Sequence, residues 1–311
     1  MKYRINEILD FGNKQIFKDA TVFTCIFNII KDIPGKEWVL KSDINTIKGK
    51  INSADNIFIF TDNLIKKLNN YKKFDDFLLI KDVGYNYWSI GRGKVRGDSI
   101  GSRILYSGVK QNDLDIPYNK GSNIQKYILA PPSQYLRYNY LKYLKENDIF
   151  RFTPELLETI PKIIYRQTSS SLIAAMDYLG NHNDKTVHII LLKDNIKDII
   201  DLKFVLALFN SKLINHYYKI TTEEEGRAFA QVKTINVKNL PFVIPEKTKH
   251  DHLVSLAEKM LEFKKNEAEE PNEQRKTVIS RAIDALDREI DKAVYSLYGL
   301  IEDEIRIVEG G

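Results

Sequence analysis

The chain has 311 residues, of which 43% are hydrophobic and 29% are charged, and its formal net charge is +5. These values are typical of a soluble globular protein with one or two domains. The longest apolar run, residues 22–30, is far shorter than the roughly 20 residues that cross a bilayer, which excludes a membrane-spanning helix. The single cysteine, Cys25, excludes an internal disulfide. Because residues 1–14 also lack the apolar segment of a secretory signal, we expect a cytoplasmic protein.

The positive charge is concentrated in the middle of the chain. Residues 81–142 contain ten Lys and Arg against four Asp, whereas residues 246–311 contain eleven against sixteen acidic residues. A basic patch attracts polyanions because each neutralised phosphate releases a counterion. The glycines and aromatics of residues 84–127 would let such a patch lie close to a nucleic acid. The middle of the chain therefore predicts nucleic-acid binding, with a solvated lysine-rich loop as the alternative.

The first third of the chain predicts mainly strands. Residues 16–30 are rich in β-branched and aromatic side chains, which favours one long apolar strand, and its part at residues 22–30 could pair with another chain. Residues 62–70 predict a helix capped by Asp62, and residues 77–80 predict a short strand. The glycines between residues 84 and 128 predict short strands and loops.

The middle of the chain predicts alternating strands and helices. Helices are expected at residues 135–147, from Thr153-Pro154 onward, and at residues 202–219; strands are expected at residues 162–166, 187–192, 232–235 and 242–244.

The acidic end of the chain predicts two antiparallel helices that form an arm. Residues 252–265 have one apolar face, and Pro271-Asn272 interrupts the pattern. Gly299 should end the second helix in a left-handed conformation. An apolar stripe with heptad-like spacing runs along this second helix and consists of Ile279, Ile283, Leu286, Ile290, Ala293 and Leu297.

Catalytic and metal-binding patterns are weak. His250-x-His252 has no ligand at a suitable spacing, which favours solvated histidines over a metal site. The glycines of residues 91–97 have the wrong spacing for a dinucleotide fingerprint. Glu262-Phe263-Lys264 has the carboxylate-x-lysine form of many nucleases but fits an ordinary helix face. We expect no catalytic residue and no metal or cofactor site in this chain.

Four ordered segments carry a family resemblance. They are KIIYRQTSSSLIAAMDYLGNHNDKTVHIILLKD, LKFVLALFNSKLINHYYK, EEGRAFAQVKTINVKNLPFVIP and REIDKAVYSLYGLIEDEIRIVEG. Together they resemble the TaqI-like C-terminal specificity domain over roughly residues 75–309. That domain is the target-recognition part of bacterial type II DNA adenine methyltransferases and of fused endonuclease–methyltransferases.

The resemblance implies a recognition fragment without catalysis of its own. The Asn-Pro-Pro-aromatic motif of the methyltransferase domain does not occur, since Ala130-Pro131-Pro132-Ser133 is not one. S-adenosylmethionine is therefore implied only for a missing methyltransferase domain or subunit, and double-stranded DNA is the implied partner. We expect a remnant of the missing domain at residues 1–45, a recognition domain at 46–245 and the helical arm at 246–311.

The expected fold class is α+β. A twisted, mostly antiparallel and barrel-like sheet should carry several helices, followed by the C-terminal antiparallel helical arm.

Arg166 and Gln167 are the leading candidates for base or backbone contact, and Gln231 and Lys233 form a second candidate reading surface. Arg and Lys suit guanine, and Asn and Gln suit adenine. Arg166 and Gln167 follow a predicted strand in a hydroxyl-rich turn; the alternative is an ion pair and a turn-stabilising amide. Gln231 and Lys233 flank Val232 and would share one face of a strand, with plain solvent exposure as the alternative.

Further cations are candidates for phosphate contact. Their spacing suits an extended track along the DNA backbone, and they are Arg92, Lys94, Arg96, Lys110, Lys120 and Lys126. Tyr85, Tyr87 and Trp88 could stack near a flipped base, although core packing is the stronger interpretation.

Sequence-specific recognition of duplex DNA is the favoured function. A helical assembly module is an alternative from another class, because the heptad-like stripe could join two chains. A free-standing specificity subunit and an RNA-binding protein are further alternatives.

Overall fold

The computed structural model of the chain describes residues 4–10, 25–30, 37–42, 46–50, 63–89, 100–222 and 230–310. The chain divides into two compact units, Met1–Lys67 and Leu68–Gly311. This division lies later than the predicted boundary at residues 45 and 46, and the C-terminal helices belong to the same unit as the central strands.

The strands are short, as the glycine-rich sequence indicates. They are β1 (Arg4–Asp10), β2 (Cys25–Ile30), β3 (Glu37–Ser42), β4 (Thr46–Lys50), β5 (Lys72–Lys73), β6 (Leu78–Asp82), β7 (Asn86–Ser89), β8 (Leu105–Ser107), β9 (Ile116–Asn119), β10 (Ile124–Gln125), β11 (Ile128–Leu129), β12 (Gln134–Leu136), β13 (Asp148–Arg151), β14 (Lys162–Arg166), β15 (Ala174–Asp177), β16 (His182–Asn183), β17 (Val187–Leu192) and β18 (Pro241–Phe242).

Helices dominate the last third of the chain. They are α1 (Asn63–Asn69), α2 (Phe74–Phe77), α3 (Ile100–Ile104), α4 (Pro154–Glu158), α5 (Leu202–Asn210), α6 (Lys212–Thr222), α7 (Thr234–Lys238), α8 (Lys247–Glu269), α9 (Glu273–Leu297) and α10 (Glu302–Glu309), with 3-10 turns at Gly121–Asn123 and Tyr140–Tyr143.

The first unit contains a four-stranded sheet in the order β2-β1-β3-β4. Strand β1 pairs antiparallel with β2 and parallel with β3, and β2 forms the edge. The predicted strand at residues 16–30 is thus confirmed for residues 25–30, and residues 16–24 lie outside the described residues.

The second unit is centred on a sheet with the order β15-β14-β17-β6, in which all neighbours are antiparallel. Strands β14 and β17 begin and end at the predicted residues. Both are almost completely buried, which explains why apolar residues dominate the centres of their sequences. This sheet positions Arg166, the last residue of β14.

A second sheet, with the order β16-β9-β12-β8, shares the core of this unit. Tyr85 and Tyr118 fill the space between the sheets with ring centres 5.3 Å apart. All sheets in the described part of the chain are open, so the predicted α+β class is confirmed, and the described strands form no closed barrel.

Two predicted elements are wrong. Residues 135–147 do not form a helix: β12 pairs with β8 and β9, and a 3-10 turn follows it. Residues 232–235 do not form a strand, because α7 begins at Thr234 after Lys233 in an extended conformation. In both segments tertiary pairing or a local turn overrides the apolar pattern on which the prediction depended.

The predicted helix at residues 202–219 is divided at Ser211. The backbone of Ser211 is extended, and its Oγ donates to the carbonyl of Leu208. The Asn210 side chain accepts from the N–H of Ala174 and donates to its carbonyl, both at 3.0 Å. The break therefore attaches α5 to the edge strand β15.

The arm consists of α8 and α9, which pack against each other. Gly299 follows α9 with a φ of +61°, which confirms the predicted left-handed residue. Ile283, Leu286 and Ile290 of the heptad-like stripe are buried inside the chain. The stripe thus stabilises the packing of α9 in its own chain.

A buried ion pair joins β14 to β15. Lys162 Nζ lies 2.7 Å from Asp177 Oδ2, and both side chains are fully buried. Lys162 Nζ also donates to the carbonyl of Thr159, and Asp177 Oδ1 accepts from the N–H groups of Leu179 and Gly180. The Lys162–Asp177 ion pair therefore holds the loops before β14 and after β15 in position.

The variant Asp177→Ala should destabilise the protein by about 3–5 kcal/mol, because it leaves the Lys162 ammonium buried without a counter-charge. Thermal and urea unfolding measure the loss. The exposed Asp198→Ala is the matched control. Equal stability of the two variants would contradict this role.

A second buried carboxylate lies where the arm meets the rest of the unit. Asp291 on α9 accepts from the backbone N–H of Lys212 at 2.8 Å and so caps α6 from another helix. Burial, with a contribution from the charge of Asp287, raises the pKa of Asp291 to about 6. Ionising Asp291 is thus disfavoured in the folded chain.

Because the folded pKa lies above the unfolded value, the contribution of Asp291 to the free energy of unfolding falls as pH rises from about 4 to 6. Asp291→Asn keeps an acceptor for Lys212 and removes the buried charge. We expect its melting temperature to exceed that of the wild type by roughly 5 °C at pH 7.5 and to equal it near pH 4.

Thermal unfolding from pH 4 to 8 tests this, with the exposed Asp284→Asn as control. A wild-type curve whose pH dependence survives in Asp291→Asn would contradict the assignment.

Candidate nucleic-acid interface

The two predicted pairs of base-reading residues meet in one place. Beyond the end of β14, the chain pairs with the segment that precedes α7: the N–H of Val232 donates to Gln167 O at 2.6 Å, and the N–H of Ser169 donates to Ala230 O at 3.2 Å. Thr168 and Gln231 are antiparallel partners between these bonds. The hydroxyl-rich turn after β14 is thereby fixed against residues 230–232.

Thr186 connects a third segment to the paired residues 167–169 and 230–232. Its carbonyl accepts from the N–H of Gln167 at 2.8 Å, and its Oγ1 accepts from the N–H of Gly121 at 3.3 Å. Gly121 follows Lys120 directly, so Lys120 joins the same neighbourhood. We call Lys120, Arg166, Gln167, Gln231 and Lys233 the recognition cluster.

Three members of the recognition cluster project into solvent. Lys120, Gln231 and Lys233 are exposed, whereas Val232 between the last two is fully buried. The predicted shared face of Gln231 and Lys233 is thus present even though only an isolated bridge forms there. Tyr218 holds this backbone, because its Oη donates to Gln231 O at 3.0 Å.

Arg166 is partly buried and has a local partner. Its Nε donates to the carbonyl of Ile124, which attaches the guanidinium to β10. Burial lowers the pKa of Arg166 from its ordinary value, but a guanidinium stays charged near neutral pH. Arg166 therefore supplies a fixed positive charge in the partly buried part of the recognition cluster.

Two further cationic candidates, Lys110 and Lys126, lie apart from the recognition cluster. Lys110 Nζ donates to Asp113 O at 2.7 Å in the turn before β9. Lys126 Nζ forms an ion pair with Asp287 Oδ2 at 2.6 Å, so this side chain attaches the arm to the rest of the unit. Arg92, Lys94 and Arg96 lie outside the described residues.

The aromatic candidates belong to the core where they are described. Tyr85 is almost fully buried against Phe150 and Phe152, and its hydroxyl contacts the Nδ1 of His182. Tyr87 is partly buried and packs against the hydrophobic core that contains Tyr85. The side chain of Trp88 lies outside the described residues. Core packing is thus the role of Tyr85.

Sequence analysis missed Thr186, which links the separate segments of the recognition cluster. Its N–H donates to Asp184 Oδ1 at 2.8 Å, so the turn before β17 is fixed locally. The exposed Lys185 beside it adds a further cation. The Asp-Lys-Thr sequence before the strand was the available signal, but only the fold brings it to Gln167.

The described part of the chain contains no cluster of three or more side chains suited to a metal ion. None of its helices has the length and apolar character to cross a bilayer.

Comparison with known families gives one match. Residues 116–242 match the TaqI-like C-terminal specificity domain, and this range contains all five members of the recognition cluster. A comparison with curated proteins finds no match.

One solved structure is similar in fold, and two others match more weakly. The type IIL restriction–modification enzyme MmeI, solved in complex with DNA, has a TM-score of 0.51 at 10% identity, covering 98% of this chain and 45% of that one. The type IIG restriction endonuclease BpuSI has a TM-score of 0.41 at 11% identity, with 95% and 44% covered. The HsdS subunit from Thermoanaerobacter tengcongensis has a TM-score of 0.33 at 10% identity, with 76% and 50% covered. The chain spans about half the length of these structures.

Proposed function

Because the chain carries a TaqI-like C-terminal specificity domain, with a DNA-recognition role in restriction–modification systems, we propose that it binds duplex DNA at a specific sequence through the recognition cluster. The observation that carries this proposal is the backbone pairing of Gln167 with Val232. It brings Gln231 and Lys233 next to Arg166 and Gln167 at the end of β14, and Thr186 links the segment of Lys120 to the same neighbourhood.

The chemistry of these side chains fits a duplex. Gln side chains donate and accept together, which suits the edge of adenine in the major groove. Lys120 and Lys233 are exposed at the margins and suit phosphates, which fix the register of a protein on DNA. Gln167 and Gln231 would then read bases while the lysines hold the backbone.

The whole protein would join this chain to catalysis. A methyltransferase domain or subunit would bind S-adenosylmethionine and modify adenine, and this chain would choose the site. Such an enzyme would act in the cytoplasm, where the genome lies. Whether the complete enzyme also cleaves DNA depends on parts other than this domain.

Gln167→Ala and Gln231→Ala should reduce discrimination between duplexes. A preferred sequence is first selected from a randomised duplex pool with the wild-type chain. Each variant should then lose about 1–3 kcal/mol of preference for it over single-base mismatches, with affinity for unrelated DNA unchanged. Fluorescence anisotropy measures both. If both variants keep the wild-type penalties for mismatched duplexes, the two glutamine side chains do not read bases.

Lys120→Ala and Lys233→Ala should weaken binding to all duplexes alike. Each should lower the slope of log affinity against log salt by about 1, because one fewer counterion is released. The exposed Lys197, beyond the far end of β17, provides the matched control Lys197→Ala. A control that shifts as much as the two variants would show that only net charge matters.

The alternative assembly module has less support. Its argument depended on the heptad-like stripe, and the central residues of that stripe are buried within the chain.

A further inference from the structure

The turn between β8 and β9 holds apolar side chains in solvent. We call residues 108–115 the apolar turn. Val109 at its tip is 86% exposed and Leu114 is 67% exposed. Single exposed apolar residues are common on protein surfaces, but Tyr138, Leu141 and Tyr143 of a neighbouring segment are exposed as well. This segment is linked to the turn, because Asp115 accepts from the N–H of Tyr138. Exposed apolar side chains on linked segments favour an interaction site.

Hydrogen bonds fix the shape of the apolar turn. The N–H of Gln111 donates to Tyr106 Oη at 2.8 Å, and the N–H of Leu114 donates to Asn112 Oδ1 at 2.9 Å. Gly108 has a φ of +101°, which glycine adopts without strain, and its N–H donates to Ser133 O at 3.2 Å. The tip is therefore preorganised, and little conformational entropy is lost when it binds.

Two stacked tyrosine rings support the apolar turn. The rings of Tyr106 and Tyr135 stack with their centres 5.6 Å apart. The Arg137 guanidinium lies 4.9 Å from the ring centre of Tyr106 and 5.3 Å from that of Tyr143, and it donates to Gln111 Oε1. Arg137 thus joins the turn to the segment that carries the other exposed apolar side chains.

Charge identifies the partner. Residues 100–145 contain seven Lys and Arg and two Asp, and at most five of these cations are available to a partner after the ion pairs of Arg103 with Asp148 and of Lys126 with Asp287. One of the two Asp residues, Asp115, is buried and accepts from Tyr106 Oη and the N–H of Tyr138. Lys110 adjoins Val109, and Lys142 adjoins Leu141. Apolar tips flanked by cations suit duplex DNA, in which proteins insert apolar wedges between base steps while cations contact phosphates.

We infer that the apolar turn is a wedge whose Val109 enters the base stack of the bound duplex. This inference rests on the proposed function. The four residues of β9 connect the turn to Lys120 of the recognition cluster. At about 3.3 Å per residue the two lie roughly 15 Å apart along the strand, or four to five base-pair steps. One short DNA site can therefore contact both.

The test uses the full chain and the duplex selected from the randomised pool. 2-Aminopurine replaces one base at a time, and its fluorescence rises where the stack opens. The wild type should raise fluorescence at one step. Val109→Ala should abolish that rise and weaken affinity about tenfold, whereas Val109→Leu should preserve both. Ile199→Ala, at another exposed aliphatic residue that is remote in sequence, should behave as the wild type.

The possible failures are distinct. If Val109→Ala binds and opens the duplex as the wild type does, the wedge is wrong and the role of the recognition cluster stands. If Val109→Asp instead dissolves a dimer seen by sedimentation while DNA affinity stays unchanged, the apolar turn is a protein interface and the wedge is again wrong. If the wild type shows no preference among duplexes, the wedge and the proposed function fall together.

Discussion

Two backbone hydrogen bonds, from Val232 to Gln167 and from Ser169 to Ala230, determine the geometry of the recognition cluster. They join the end of a central buried strand to the segment before α7. Buried β14 gives Gln167 a rigid support, and the fully buried Val232 directs its two exposed neighbours to one side. The proposed reading surface would then keep its polar side chains in place, with Arg166 and Gln167 partly buried and Lys120, Gln231 and Lys233 exposed. Direct readout requires such placement, because bidentate contacts to a base depend on geometry.

The C-terminal helices stabilise the segments that carry the recognition cluster. Lys126 forms an ion pair with Asp287 of α9, and Asp291 of the same helix caps α6. Helix α6 carries Tyr218, whose hydroxyl holds Gln231 O. Helix α6 therefore connects the arm to the recognition cluster. The apolar stripe of α9 packs within the chain and holds the arm in this position. The acidic character of the arm supplies partners for cations of the basic middle.

The sequence predicted the elements whose signal is local. Strands β14 and β17 were predicted at their observed bounds because short segments rich in Ile, Val, Leu and Tyr favour buried strands. The division of the helix at Ser211 and the strand β12 were missed, since both depend on partners far along the chain. The candidate residues Gln167 and Gln231 were selected by chemistry alone; the tertiary contacts that bring their two segments together are not encoded in periodicity. Lys126 shows the opposite case, because its charge suggested phosphate contact and the fold gave it an internal carboxylate.

The central claim is that the recognition cluster lies against the bases of a duplex. Thr168 is exposed between the two backbone hydrogen bonds and can carry a benzophenone cross-linker. With the selected duplex, irradiation should cross-link position 168 to bases at one defined place in the site, and the same probe at position 197 should give no cross-link. Cross-links at position 197 but none at position 168 would contradict the account.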